Sequence, residues 1–296
     1  MTKNSGQPLK GKTLLITGAA SGLGLVSAEQ LAALGAEILL HARTLEKAEA
    51  ACQTIADRTG SNRLFPYSAD LGSQSQIRAL ADRVLERHPR LHVLMNNAGV
   101  LLGTRRRTED GCEMTFAVNH LAGFLLTRRL LPLLTQSAPS RILNVSSIVH
   151  RWGDLDFGDL QMERGYRPLP AYYRSKLANV MFTYALARRL AGTGVTVNCL
   201  HPGMVDTPFG REGSFLYRLS KSIARPFLYM PPEKGAATQV WMANAPEMED
   251  VTGNYYVRKR SVKSSALSYR EEIQEKLWQV SETLCGLERW EGEATS

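Results

Sequence analysis

The sequence predicts an α/β fold: one domain built on a doubly wound parallel sheet. Three observations point there. Over the first two hundred residues, short β-branched or leucine-rich runs alternate with longer stretches of helical periodicity, as repeated βαβ units do. The first such run leads directly into a glycine-rich turn and then into a helical pattern. Finally, 296 residues with 44% hydrophobic and 22% charged side chains suffice for a continuous core and suit one large α/β domain.

Strands are expected at 13–17, 37–40, 63–66, 93–95, 142–145 and 195–200, with helices between them at 23–34, 45–57, 74–87, 113–135 and 171–190. Leu14, Leu15 and Ile16 form the unbroken apolar run of a strand covered on both faces, and Lys12 marks its solvent end. A helix over 232–242 and a final strand over 253–257 follow. A last helix over about 269–284, carrying Ile273, Leu277, Trp278 and Val280, should pack back on the domain. The segment 207–231 fits neither period cleanly. Its aromatic and apolar residues recur near helical spacing among arginines and a lysine, which makes it a candidate helical substrate lid. Residues 288–296 read as a flexible tail.

No run approaches the roughly 18 apolar residues of a bilayer span, and the amino-terminal dozen lacks the apolar centre of a secretory signal, so a cytoplasmic protein is expected. Cys52, Cys112, Cys199 and Cys285 lie far apart with no C-x-x-C pair, and the six histidines lack ligand spacing. No metal is expected. The net charge of +8 favours anionic partners, but the cations are dispersed and no nucleic-acid-binding signature accompanies them. Peripheral contact of the basic lid with an anionic membrane and homo-oligomerisation both stay open.

The turn Thr17-Gly18-Ala19-Ala20-Ser21-Gly22-Leu23-Gly24 lies between first strand and first helix. There a pyrophosphate meets backbone N–H groups at a helix N-terminus, and a β-carbon would block its approach. At the end of the second strand, where an NAD site places a carboxylate for the ribose 2′-hydroxyl, stands Arg43. A planar cation there favours a 2′-phosphate, hence NADP(H), with NAD(H) as the alternative.

Tyr172 and Lys176 stand four apart near the start of a helix led in by Pro170, so they share one face. A phenol of pKa near 10 is a poor acid–base at neutral pH, and an adjacent ammonium lowers it toward the working range. Ser146 and Ser147 end the fifth strand, at the carboxyl edge where open α/β sheets bind ligands. Neighbours on a strand face opposite ways, so only one can serve.

Residues 17–24, Asn96-Asn97-Ala98-Gly99, Asn119, Ser147, Tyr172-x-x-x-Lys176 and Pro202-Gly203 occur in the order and approximate spacing of the short-chain dehydrogenase/reductase superfamily, which the chain resembles. Val145-Ser146-Ser147 with His150, the 25-residue interval from Ser147 to Tyr172, Ser175-Lys176-Leu177-Ala178-Asn179 and His201-Pro202-Gly203 are similar to its retinol dehydrogenase branch. The likeness covers about residues 10–287.

The resemblance implies a Rossmann-like domain and roles residue by residue. Tyr172 exchanges the proton on the substrate oxygen, and Lys176 bonds the nicotinamide ribose and depresses the phenol pKa. Ser147 orients the carbonyl, and Asn119 holds a water in a proton relay. Gly18, Ser21, Gly22, Leu23 and Gly24 line the pyrophosphate. Asp70 and Leu71 lie at the adenine, Asn97, Ala98 and Gly99 on the adenosine ribose side, and His201, Pro202 and Gly203 on the nicotinamide side. The family's interval selects Ser147 over Ser146, and His150 is a structural or pocket residue rather than a base. The expected protein is an NADP(H)-dependent oxidoreductase interconverting an alcohol with a ketone or aldehyde on an apolar substrate. The alternative is a dinucleotide-binding regulatory or interaction protein with little turnover.

Overall fold

The computed structural model describes residues 7–203 and 231–290; the lid candidate, residue 231 apart, and residues 291–296 of the tail lie outside them. Eight strands form one sheet: β1 (Thr13–Ile16), β2 (Glu37–Ala42), β3 (Leu64–Ser68), β4 (Val93–Asn96), β5 (Ser140–Val145), β6 (Val195–His201), β7 (Tyr255–Val257) and β8 (Arg260–Ser261). Their spatial order is β3-β2-β1-β4-β5-β6-β7-β8. All pairs are parallel except the last. The order reverses direction between β1 and β4, so the crevice beyond their carboxyl ends is the topological switch point.

Strand alternation divides the core into two layers. Leu15, Leu39, Leu94, Ile142 and Val197 join a cluster with helices α3 (Gln74–Arg87), α5 (Ala122–Gln136), α6 (Pro168–Arg189) and α8 (Glu271–Leu284). Leu14, Ile16, Ile38, Leu40, Met95 and Leu143 face the other way, onto α1 (Gly22–Ala33), α2 (Leu45–Thr59) and α7 (Pro232–Asn244). Thr44 and Ser73 cap α2 and α3 by accepting the N–H of Lys47 and Gln76.

The expected elements are present, with shifted ends and one correction. The segment 113–135 is not a single α-helix: a short turn α4 (Met114–Phe116) leads into a π-helical turn, Ala117–Leu121, and only then into α5. One extra residue per turn swings Asn119 out of the apolar stripe, which hydropathy spacing does not register. Pro66 is accommodated because β3 is the sheet edge. At the other edge Arg258 and Lys259 turn through positive φ (50° and 62°) into β8, a two-residue basic strand.

The final helix does pack back. The Arg189 guanidinium lies 4.0 Å from the Trp278 ring centroid, and Arg128 pairs with Glu282. Beyond it, the Trp290 backbone N–H donates to Glu282 at 2.8 Å. Among the described residues no helix is long and apolar enough to cross a membrane.

Candidate active site

The glycine turn leaves β1 at the switch point and enters α1. Gly18 and Gly22 adopt positive φ, 66° and 56°. A β-carbon on Gly24 would crowd the Gly18 carbonyl, lie 2.6 Å from Asn97 Nδ2 and come within 2.9 Å of Ala19 Cα. Ser21 is the N-cap of α1 with extended backbone, and its side chain makes no capping hydrogen bond to the first-turn N–H groups. This cradle fits a dinucleotide phosphate. Thr17 fastens the turn to its neighbour: its hydroxyl accepts the N–H groups of Asn97 and Ala98 at 2.9 and 3.1 Å, and its carbonyl accepts Asn97 Nδ2 at 2.8 Å.

The other expected cofactor positions line the carboxyl edge. Arg43 is exposed directly after β2. Asp70 accepts the Gly72 N–H at 2.8 Å, while the Leu71 side chain is buried in the core. Pro202 and Gly203 follow β6 and are half-buried, with Gly203 at φ 96°.

Tyr172 and Lys176 project from the first turns of α6, which Pro168 and Pro170 open. Lys176 Nζ lies 5.6 Å from the Tyr172 ring centroid and donates to the Val145 carbonyl at 3.1 Å. Lys176 is 3% exposed, and burial lowers its pKa to about 8. Cys199 stands near it, and burial pushes that thiol up to about 12, so the sulfur is neutral.

Asn119 reaches the same point from the π turn. Its Oδ1 accepts the Val100 N–H at 2.7 Å, and its Nδ2 donates to the Val100 carbonyl and to Ser175 Oγ at 3.0 and 2.9 Å. Gly99 closes the group, since a β-carbon there would lie 3.3 Å from Asn119 Oδ1 and 3.4 Å from Lys176 Nζ. The two serines separate as strand geometry requires. Ser146 is buried and donates to the Lys176 carbonyl at 2.7 Å, whereas Ser147 is half-buried. The structure thus brings Gly99, Asn119, Ser147, Tyr172 and Lys176 to one stretch of the carboxyl edge, with Arg43 on the far side of β1.

Two residues, His41 and Gln239, escaped sequence reasoning. His41 Nδ1 accepts the Gly18 N–H at 3.2 Å while its Nε2 lies 3.1 Å from the Ala69 carbonyl. Burial lowers its pKa to about 4, so the ring is neutral with its proton on Nε2. Gln239 of α7 donates to the Leu23 carbonyl at 3.3 Å and to Ser27 Oγ, steadying the first turns of α1. His150, expected to be a structural or pocket residue, joins the Ser147 carbonyl to Ser265. No spacing signal identifies His41 or Gln239, because their partners lie 23 to 216 residues away.

A family model described as short chain dehydrogenase matches residues 12–214. Human retinol dehydrogenase 14 is 41% identical over 302 residues, covering 96% of this chain and 90% of its own. A crystal structure of an uncharacterized protein from Mycobacterium Paratuberculosis superposes with a TM-score of 0.78 at 30% identity, covering 97% of this chain and 98% of that one. The RhlG/NADP active-site complex of Pseudomonas aeruginosa gives a TM-score of 0.67 at 27% identity over 83% of this chain and 94% of its own. With the sheet order and the cradle, these likenesses establish that the chain belongs to the short-chain dehydrogenase family, as a CH–OH oxidoreductase that uses NAD or NADP.

Proposed function

We propose that this enzyme interconverts an alcohol with a ketone or aldehyde on an apolar, retinoid-like substrate, with NADP(H) as its cofactor. The convergence of Tyr172, Lys176, Ser147 and Asn119 at the switch-point edge carries the reading. Arg43 supports NADP(H), being exposed at the end of β2, where a cation meets a 2′-phosphate. The relatives named retinol dehydrogenase support the substrate class. Four buried cysteines, all free, suit a reducing compartment and support work in the cytoplasm.

Gly18, Gly22 and Gly24 would admit the pyrophosphate to the N–H groups of α1, with Ser21 and Leu23 beside it. Asp70 and Leu71 would lie at the adenine, Asn97 to Gly99 along the adenosine ribose, and Pro202 and Gly203 by the nicotinamide. Bound there, the nicotinamide supplies or accepts a hydride. In the reducing direction the Tyr172 hydroxyl gives its proton to the substrate oxygen, and in the oxidising direction the phenolate takes it back. Lys176, held by the Val145 carbonyl, keeps a positive charge near the phenol ring and favours the phenolate. Ser147 donates to the substrate oxygen and aims it at the phenol. Asn119, fixed at three points, holds the turn that faces Lys176 and with it the relay from the amine to solvent.

Tyr172→Phe tests the reading. Turnover should fall by about a hundredfold or more, while NADPH binding, followed by fluorescence titration, stays near wild type. A variant that keeps wild-type turnover removes Tyr172 from the chemistry.

A further inference from the structure

Ser147 continues β5 on extended backbone, φ −155° and ψ 158°, and caps the 3-10 turn Ile148–Trp152. The contact its hydroxyl makes with that turn is long, the Val149 N–H at 3.5 Å. Its placement therefore depends on how its peptide is held. The Ser147 carbonyl accepts the His150 backbone N–H at 3.1 Å and lies 2.7 Å from the imidazole Nδ1 of the same residue.

The opposite ring nitrogen, Nε2, is 3.0 Å from the backbone nitrogen of Ser265. A backbone N–H can only donate, so Nε2 is the acceptor and the ring proton sits on Nδ1, aimed at the Ser147 carbonyl. The imidazole is thus a neutral strut with both nitrogens engaged. It is wholly buried and packs edge-on against Tyr255, centroids 4.7 Å apart. Burial lowers its pKa, which keeps that form at neutral pH.

The far end of the strut is anchored in turn. Ser264 Oγ lies 2.7 Å from the hydroxyl of Tyr184, on α6, and 2.6 Å from Ser268 Oγ. The Ser264 N–H donates to the Tyr269 hydroxyl at 3.1 Å, and the Arg151 guanidinium bonds the Lys263 and Ser264 carbonyls. Helix α6 also carries Tyr172 and Lys176. The circuit from Ser147 through His150, Ser265, Ser264 and Tyr184 therefore returns to the helix of the acid–base pair.

We propose that His150 is a positioning residue: it ties the peptide of Ser147 through the Ser265 loop to α6 and so fixes the serine relative to Tyr172. This rests on the reading of Ser147 as the group that orients the substrate oxygen.

Three variants of the full chain test it, with NADPH and the carbonyl that the wild type reduces fastest in a panel of apolar aldehydes and ketones. His150→Phe keeps a ring against Tyr255 and removes both bonds. His150→Asn retains an N–H near the Nδ1 position. Ser265→Pro, at a residue whose φ, −69°, already suits proline, replaces the donor by a ring methylene that pushes the imidazole off its seat. His150→Phe should lower kcat by about tenfold to a hundredfold, the usual penalty for misplacing an oriented group, with NADPH affinity unchanged. His150→Asn should recover most of the loss, and Ser265→Pro should lose about as much as His150→Phe. Hydrogen exchange gives a readout independent of turnover: amides at 147–149 should exchange faster in His150→Phe and Ser265→Pro.

Wild-type kcat or wild-type exchange in His150→Phe overturns the proposal, as does His150→Asn when impaired as deeply as His150→Phe. If His150→Phe does not fold, Ser265→Pro alone decides, by loss of kcat with faster exchange at 147–149 or by wild-type values of both. Ser147→Ala separates this from the parent reading. Full turnover in that variant removes Ser147 from the mechanism while exchange still decides the strut. An inactive Ser147→Ala beside a fully active His150→Phe removes the strut alone.

Discussion

Lys176→Met should make the cofactor-free protein more stable at neutral pH while abolishing turnover. The buried amine has its pKa lowered from 10.5 to about 8 by desolvation, whereas the unfolded chain keeps the ordinary value. Between pH 8 and 10.5 the unfolded chain therefore binds a proton that the folded one does not, and stability rises with pH across that window. The penalty is full below pH 8 and gone above 10.5. A separation of this size corresponds to about 3 kcal/mol. Methionine keeps the apolar stem and loses the charge. The Val145 carbonyl keeps a donor, since Asn179 Nδ2 lies 3.2 Å away. Losing the Nζ bond offsets about 1 kcal/mol. The net gain is about 2 kcal/mol at pH 7, or about 3 °C in Tm. Urea denaturation at pH 7 and again above pH 10.5 reads it directly. A variant less stable than wild type at pH 7, or one whose advantage is equal at both pH values, refutes the reasoning.

Gly24→Ala places a β-carbon against backbone of the cradle, where no rotamer change gives relief. Its cost of about 1–3 kcal/mol should appear as NADPH affinity weakened by roughly fivefold to 150-fold, as a lower Tm, or as a share of each; wild-type values of both would contradict the packing. Arg43→Asp should shift preference from NADPH toward NADH by at least about tenfold, about 1.4 kcal/mol for one charge-assisted contact, in competitive binding titrations. An unchanged ratio would leave Arg43 facing solvent only. Burial lowers His120 from 6.5 to about 4, so stability should fall as pH drops through that interval, where the unfolded chain takes up the proton first. His120→Gln should reduce the slope of unfolding free energy against pH there by up to about one proton, measured by urea denaturation.

What the sequence revealed follows from the range over which each signal acts. Leu14 to Ile16, the glycine turn and Tyr172 with Lys176 are local patterns, and the structure places all of them as expected. That only one of Ser146 and Ser147 can face the site was legible because strand alternation is local too, whereas the choice of Ser147 came from the resemblance to the family. The π turn was not, because an extra residue per turn around Asn119 leaves composition and apolar content unchanged. β8 was invisible for a different reason. Two polar residues have no periodicity, and their pairing comes from a turn that two non-glycine residues take at positive φ. His41 and Gln239 look like ordinary polar residues in sequence, and only the fold puts partners beside their nitrogens.

The division of labour along the chain follows from the same contacts. The segment matched by the family model holds every catalytic and cofactor candidate, yet the cradle, the turn after Ser147 and the turn at Asn119 are braced from the described residues beyond it. Gln239 of α7 bonds Leu23 beside the cradle, and Ser265 bonds His150 behind Ser147. Ser281 of α8 lies 3.0 Å from His120 Nε2, next to Asn119, and the other nitrogen of that ring faces Asn179, whose amide shares the Val145 carbonyl with Lys176. A sheet edge alone leaves loop-borne groups free to drift, and a drift of about 1 Å can cost a hundredfold in rate. Residues 231–290 supply the rigidity that the loops lack, so substitutions there should act on kcat without touching a reacting atom.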